Sequence, residues 1–171
     1  ARGGDDAFTQ FPSAHLAGGA VGGVGDDEAW RWRKAGREAA PVAALASLWG
    51  VHDDRAWKWR EQSLERATKT VLASVAGLDD PRAWALRDRT LPRCPEALDS
   101  ARGLDSDAAW ALRDTGAALW PAAAVKSLGP LLLGPRGREL LASQLVRVPD
   151  SLALWRSAAQ LLARTAVDVD E

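Results

Sequence analysis

Two histidines, one cysteine and the aspartate pairs at 26–27, 53–54 and 79–80 are the residues in this sequence that could bind a metal or move a proton. His15 and His52 lie 37 residues apart with no patterned partner, and His52 directly precedes Asp53 in a turn-like stretch. Cys94 stands before Pro95 with no histidine nearby, so an inert thiol is expected rather than a nucleophile. The pairs at 26–27, 53–54 and 79–80 could attract a divalent cation, but each opens a helix-like segment, where capping explains them. A glycine cluster at 18–25 suggests a phosphate loop, yet no Gly-Lys-Ser/Thr follows it and no strand precedes it. The expectation is no catalytic residue, no metal and no cofactor.

Tryptophan offers a different chemistry, because stacked indoles can bind bases or sugar rings. Trp30, Trp57, Trp84 and Trp110 are spaced 27, 27 and 26 residues apart, inside the phrases DDEAWRWR, DDRAWKWR, DDPRAWALR and DSDAAWALR. A period of this size is the mark of stacked supersecondary units. Other columns share the register. Gly23, Gly50, Gly77 and Gly103 stand seven residues before the tryptophan, and Asp26, Asp53, Asp80 and Ser106 stand four before it. Ala29, Ala56, Ala83 and Ala109 precede it directly. Trp32, Trp59, Leu86 and Leu112 follow two later, and Arg33, Arg60, Arg87 and Arg113 three later. Pro41, Pro95 and Pro121 recur eleven after it, with Thr68 departing. Ser47, Ser74 and Ser100 recur ten before it, and Ser127 continues their interval.

Each column has a local reading. Asp or Ser before the phrase is a helix N-cap, Pro81 fits the first helical position, and the glycine ends the preceding helix in the left-handed region. One unit is therefore helix A, a short connection, helix B from the proline, and a glycine turn. Two helices of about 9 to 11 residues fit the period. Helices this short need their neighbours for stability. The alanine and the residue three after it share a face that should point into the stack. Arg and Trp share another, where stacking contributes about 0.5 to 2 kcal/mol. A Trp–Arg column is expected, with the arginines reaching cap carboxylates such as Asp80 or Asp53. Trp49 and Trp120 break the pattern and are the candidates for partner contact.

The fold expected is all-α, a right-handed α-solenoid of about five two-helix repeats with a 27-residue period. Its parts are a ragged N-terminus at 1–11, a half repeat at 12–25, and units at 26–50, 53–77, 80–103 and 106–130. A capping pair at 131–163 and a frayed acidic tail at 164–171 complete it. In the capping pair, RGRELLASQLVR is one amphipathic helix. Pro149-Asp150-Ser151 caps the next, which carries Leu152, Trp155, Ala159 and Leu162.

Net charge is −1, which gives no electrostatic case for nucleic acid or an anionic membrane. No run approaches the length of a membrane span. A lone cysteine points to a reducing cytoplasm. Methionine is absent and the chain opens ARGG, so a fragment of a longer bacterial protein is expected.

The unit S-x-x-G-L-D-D-x-x-A-W-x-L-R followed by P-x-A resembles a short variant of HEAT-type helical repeats. SVAGLDDPRAWALR, CPEALDSARGLDS, WPAAAVKSLGPLLLGPRG and RELLASQLVRVPDSLALW are similar to the C-terminal repeat region of some bacterial thymidylate-kinase-like (dTMP kinase) proteins. The resemblance spans residues 12 to about 163. It implies an upstream P-loop kinase domain in the parent chain. It carries over no catalytic residue, because no phosphate loop, nucleotide site or lid is present in this segment. The function expected is a non-catalytic scaffold or interaction module for an unknown protein partner. An accessory region of a nucleotide kinase and a tryptophan-ladder ligand module are the alternatives.

Overall fold

The structure, a computed structural model, describes residues 25–167. Among them every regular element is helical, and the fold is all-α. The expected N-terminal segment 1–11, nearly all of the half repeat 12–25, His15, and the end of the acidic tail from 168 lie outside the described residues.

The described residues fall into two compact units, one ending at Ser74 and one starting at Val75. The first holds α1 (Asp27–Ala39), α2 (Pro41–Ala46), α3 (Asp54–Ser63) and α4 (Thr68–Ser74). The second holds α5 (Pro81–Thr90), α6 (Glu96–Ser100), α7 (Asp107–Leu119) and α8 (Pro121–Lys126). A 3₁₀ turn (Gly129–Leu133), α9 (Pro135–Arg147) and α10 (Leu152–Val167) follow.

The long helices start where the sequence says. Asp26 and Asp53 each accept the amide hydrogen of the residue three later, Ala29 and Ala56, at 2.8 Å. Asp80 accepts the Arg82 amide at 2.7 Å. Ser106 departs from the expected cap. Its backbone is extended, as an N-cap requires, but its side chain makes no capping bond. The hydroxyl donates to Asp79 Oδ1 at 3.3 Å.

The second helix of each unit is shorter than expected, with 6, 7, 5 and 6 residues for α2, α4, α6 and α8. The serine column stops it. Ser47, Ser74, Ser100 and Ser127 each turn their hydroxyl back onto the carbonyl three residues earlier, at 2.7–2.8 Å. Such local bonds compete with helix continuation. Three residues on, Gly50 and Gly77 take φ of 78° and 73°. Gly103 continues the column at 72°, and Gly129, two residues after Ser127, takes 54°. A side chain there would strike the following carbonyl, so glycine is the residue that makes the turn.

Packing follows the alanine column. In the first unit α1 lies on α2, and α4 contacts α2 and α3. In the second, α5 packs on α6 and α7 on α8, while α5 meets α7 and α6 meets α8. Ala29, Ala56, Ala83 and Ala109 are buried, as are Trp59, Leu86 and Leu112 on the same stripe. Trp32 is the exception and is 44% exposed. Its counterparts lie near the helix A before them: Trp59 beside Trp30, and Leu112 in the groove with Trp84.

The C-terminal pair differs by one position. α10 buries Leu154, Ala158 and Leu161, while Leu152, Trp155, Ala159 and Leu162 face outward. Ser151 Oγ accepts the Leu154 amide at 3.3 Å and so sets the helix start. The i, i+4, i+7 stripe from Leu154 then faces the second unit's interior, where α10 packs on α8 and α9. α10 itself runs on through Val167.

The turn geometry makes a clean test at Gly77, where an added Cβ would meet nothing within 4 Å. Gly77→Ala should cost about 1–2 kcal/mol in urea unfolding, all of it backbone strain. Gly77→Asn should recover part of that loss, since Asn tolerates the left-handed region. A neutral alanine would show that the left-handed turn is not required.

Candidate functional site

The repeat's conserved-looking columns converge on a buried arginine. Arg33, Arg60, Arg87 and Arg113 are at most 1% exposed. Helix A projects each guanidinium toward the serine that ends the following helix B. In the first unit, Arg33 donates through Nε to Ser47 Oγ at 3.0 Å and through Nη2 to the Ser47 carbonyl at 2.9 Å. Arg60 donates through Nε to Ser74 Oγ at 3.0 Å, through Nη1 to the Val51 carbonyl at 2.9 Å, and through Nη2 to the Leu48 carbonyl at 2.7 Å.

The second unit repeats the arrangement. Arg87 reaches Ser100 Oγ at 2.9 Å and the carbonyls of Leu78, Val75 and Ser100 at 2.8, 2.7 and 3.0 Å. The Ser100 carbonyl also accepts the Gly77 amide at 2.9 Å, which ties the glycine turn to the next helix B. Arg113 reaches Ser127 Oγ at 3.2 Å and the carbonyls of Ala101 and Ser127 at 3.1 and 3.3 Å. Its Nη1 is buried without a hydrogen-bond partner.

The arginines were expected to reach the cap carboxylates; these hydrogen bonds go instead to serine hydroxyls and main-chain carbonyls. The reason is reach and polarity. Helix C-termini present unpaired carbonyls with a partial negative charge, close to where a mid-helix-A side chain ends. Burial pushes the Arg87 guanidinium down to about 10, with Asp79 and Asp88 opposing that shift. Arg113 is likewise pushed down to about 10 by burial, against Asp105. Arg33 is lowered by burial against Asp53 and Asp26. Arg87 and Arg113 thus remain charged at neutral pH.

The indole column covers these cations. Guanidinium carbons sit 5.2, 4.6, 4.2 and 4.8 Å from the ring centroids of Trp30, Trp57, Trp84 and Trp110. Trp57 and Trp110 are buried, while Trp30 and Trp84 are half-buried. Trp84 and Trp110 donate their indole hydrogens to Asp79 and Asp105 at 2.6 and 2.7 Å, and Trp57 donates to the His52 carbonyl at 3.1 Å. Trp30 donates across to the next cap, Asp53 Oδ2, at 3.0 Å. Burial alone would raise the Asp53 carboxyl's pKa. The Ala56 amide, the Trp30 indole and Arg55 outweigh burial and hold it below its ordinary value.

The remaining candidates are scattered. Trp49 is 61% exposed. Trp120 is half-buried and donates to the Leu91 carbonyl at 2.8 Å, so it is anchored within its unit. His52 is exposed. Cys94 is buried, its thiol 3.1 Å from Glu96 Oε2. Among the described residues no three His, Cys, Asp or Glu side chains gather as a metal site, and no helix is long and apolar enough to cross a membrane.

Among the described residues, one concave surface joins indoles with cations. A cleft of about 690 Å³ in the first unit lies between α1 and α3. Trp30 and Trp59 form its apolar floor, with ring centroids 6.1 Å apart. Arg31, Lys34, Arg37, Arg55 and Lys58 surround them, with Asp27 the one acidic residue of the lining. Arg55 lies over Trp30 at 4.9 Å, held by Asp27 at 3.0 Å, and Arg37 lies over Trp59 at 5.5 Å. The repeat columns do not reveal this cleft. The position after the column tryptophan is Arg31 and Lys58 here but Ala85 and Ala111 in the second unit, and the position four after it is Lys34 but then Glu61, Asp88 and Asp114. No family model, curated protein or solved structure matches the chain.

The arginine network should dominate stability. Arg87→Ala should cost about 3–5 kcal/mol in denaturant unfolding, because buried carbonyls lose their donor. Arg87→Lys should recover little, since an ammonium cannot reproduce the planar fork. A loss below about 1 kcal/mol for Arg87→Ala would remove the network from its structural role. Asp53 gives a pH signature. Its lowered folded pKa means its contribution is fully present above about pH 4 and is lost as pH falls through the folded value. The stability gap between wild type and Asp53→Ala should therefore narrow on acidification below about pH 4; a constant gap would contradict the role of the ionised carboxylate.

Proposed function

We propose that this chain is a right-handed α-solenoid of two-helix repeats and acts as a non-catalytic protein-interaction module. The observation that carries the reading is the division of labour along each repeat. The polar residues that recur along the repeat are consumed inside the fold: Asp caps, Arg to serine and carbonyls, Trp to Asp or, at Trp57, to a main-chain carbonyl. The residues left facing outward change from unit to unit, as on the surfaces of repeat proteins that bind partners. The likeness to repeats that follow a nucleotide-kinase domain fits an accessory role for such a module, in a reducing cytoplasm suited to its single thiol.

A four-indole stacking ladder has less support, because Trp57 and Trp110 are 4% exposed and each bears a guanidinium on its face. The exposed surface is better suited to protein: Trp49 and the outward stripe of α10, led by Leu152 and Trp155, offer apolar contact outside the repeat columns.

Site-specific photo-crosslinking in cells tests the module reading. A photoreactive amino acid placed singly at Trp49, Lys58 or Leu152 should give discrete adducts of the same protein from at least two positions, and none from a buried site such as Leu72. No adduct from any exposed position would overturn it.

A further inference from the structure

We propose that the cleft between α1 and α3 binds an acidic segment of a partner protein, through carboxylates on its cationic rim and apolar side chains on its indole floor. This rests on the module reading and names the chemistry of its ligand.

The charge balance is local. The chain carries −1 overall, yet the cleft gathers five cations against Asp27. Arg31, Lys34 and Lys58 are exposed and form no ion pair with any described residue, so their charge is available. The corresponding groove of the second unit, between α5 and α7, is lined by Trp84, Leu91 and Leu112 with Asp88, and no cation lines it. The same backbone repeat thus presents opposite electrostatics in the two units, and the first is the one fitted to an anion.

The geometry selects among anions. Arg55 is held by Asp27 at 3.0 Å, Asp53 at 3.5 Å, the Gly25 carbonyl at 3.2 Å and the Trp30 face at 4.9 Å. A guanidinium already ordered loses less entropy when it takes a carboxylate. The indole faces carry guanidinium groups: Arg33 and Arg55 on Trp30, Arg37 on Trp59. A nucleobase would have to displace an arginine to stack on a whole ring, whereas a carboxylate binds the arginine where it lies and an aliphatic side chain needs only the apolar lining left between the cations. About 690 Å³ is far more than one small anion fills and is within the range of sites that enclose several groups. Carboxylates alternating with apolar side chains suit a rim of cations around a tryptophan floor.

The test uses the full chain and a fluorescein-labelled peptide of alternating Glu and Leu, read by anisotropy. Its Gln counterpart and a labelled oligothymidylate serve as comparisons. The Glu peptide should bind more tightly than the Gln peptide, and more weakly as salt is raised. Lys34→Glu with Lys58→Glu should weaken binding by about tenfold or more. Arg138→Glu with Arg156→Glu, an equal charge change on α9 and α10, should leave it within about twofold. Circular dichroism checks that each variant folds, and Lys34→Gln with Lys58→Gln provides a milder pair.

Equal binding of the Glu and Gln peptides overturns the inference. So does an undiminished affinity in the folded cleft variants. Tighter binding of oligothymidylate than of the Glu peptide, lost with the same lysines, reassigns the cleft to nucleic acid and also overturns it. Any of these results alongside crosslinked adducts from Trp49 and Leu152 rejects the acidic ligand while leaving the module reading standing.

Discussion

A guanidinium buried in every repeat is the constraint that the rest of the structure answers. A charge removed from water is tolerated when polar atoms surround it closely, and leaving it unmatched costs several kcal/mol. Arg87 is matched by one hydroxyl and three carbonyls, all between 2.7 and 3.0 Å. Bringing those oxygens together sets the chain's course. Helix B must end at a serine, so that hydroxyl and carbonyl both face the arginine. The turn that leads into helix A must leave its own carbonyls open, so it runs through a left-handed glycine. The tryptophan then closes the remaining face of the cation. The columns of the sequence are the imprint of one electrostatic problem solved repeatedly.

This solution has a consequence for function. Once capping, arginine and indole groups are satisfied internally, they have little chemistry to offer a ligand. Recognition falls to positions under no such constraint, the ones that point outward from helix A. There the two units diverge: Arg31 and Lys58 stand against Ala85 and Ala111, and Lys34 is the one cation at a position that is otherwise Glu61, Asp88 and Asp114. A repeat whose interior is fixed this firmly can vary its surface without altering its fold.

The same distinction explains what could be read from the sequence. The helix starts at Asp26, Asp53 and Asp80, the glycine turns, the alanine stripe and the Arg–Trp stacking were legible because each depends on neighbours at fixed sequence offsets. The serine column was visible, but its partner lay 13 or 14 residues away across a helix pair. The arginine was therefore assigned to nearby cap carboxylates. Ser106 read as a cap because its spacing is right; Asp79, 27 residues earlier, takes its hydroxyl. On α10 two apolar stripes are offset by one position, and periodicity does not choose between them. The packing of α8 and α9 does. The cleft was hidden for a further reason. Aligning repeats emphasises what they share, and the cleft is made of what they do not.

The overall charge was also a poor guide, and the physics of screening shows why. At physiological ionic strength fields decay over about 8 Å. A chain of net charge −1 projects no long-range attraction, yet that says little about a surface whose cations lie around one pair of indoles. An acidic segment would meet this cleft's charge at contact range. There an ion pair depends on local geometry rather than on the long-range field. Affinity in such a site depends on order as much as on charge. Arg55, clamped by Asp27 and laid on Trp30, is the best-ordered cation of the five. Arg31, Lys34 and Lys58 are free to adapt to the spacing of the ligand's carboxylates. An ordered anchor among adaptable cations favours a class of acidic sequences rather than a single one.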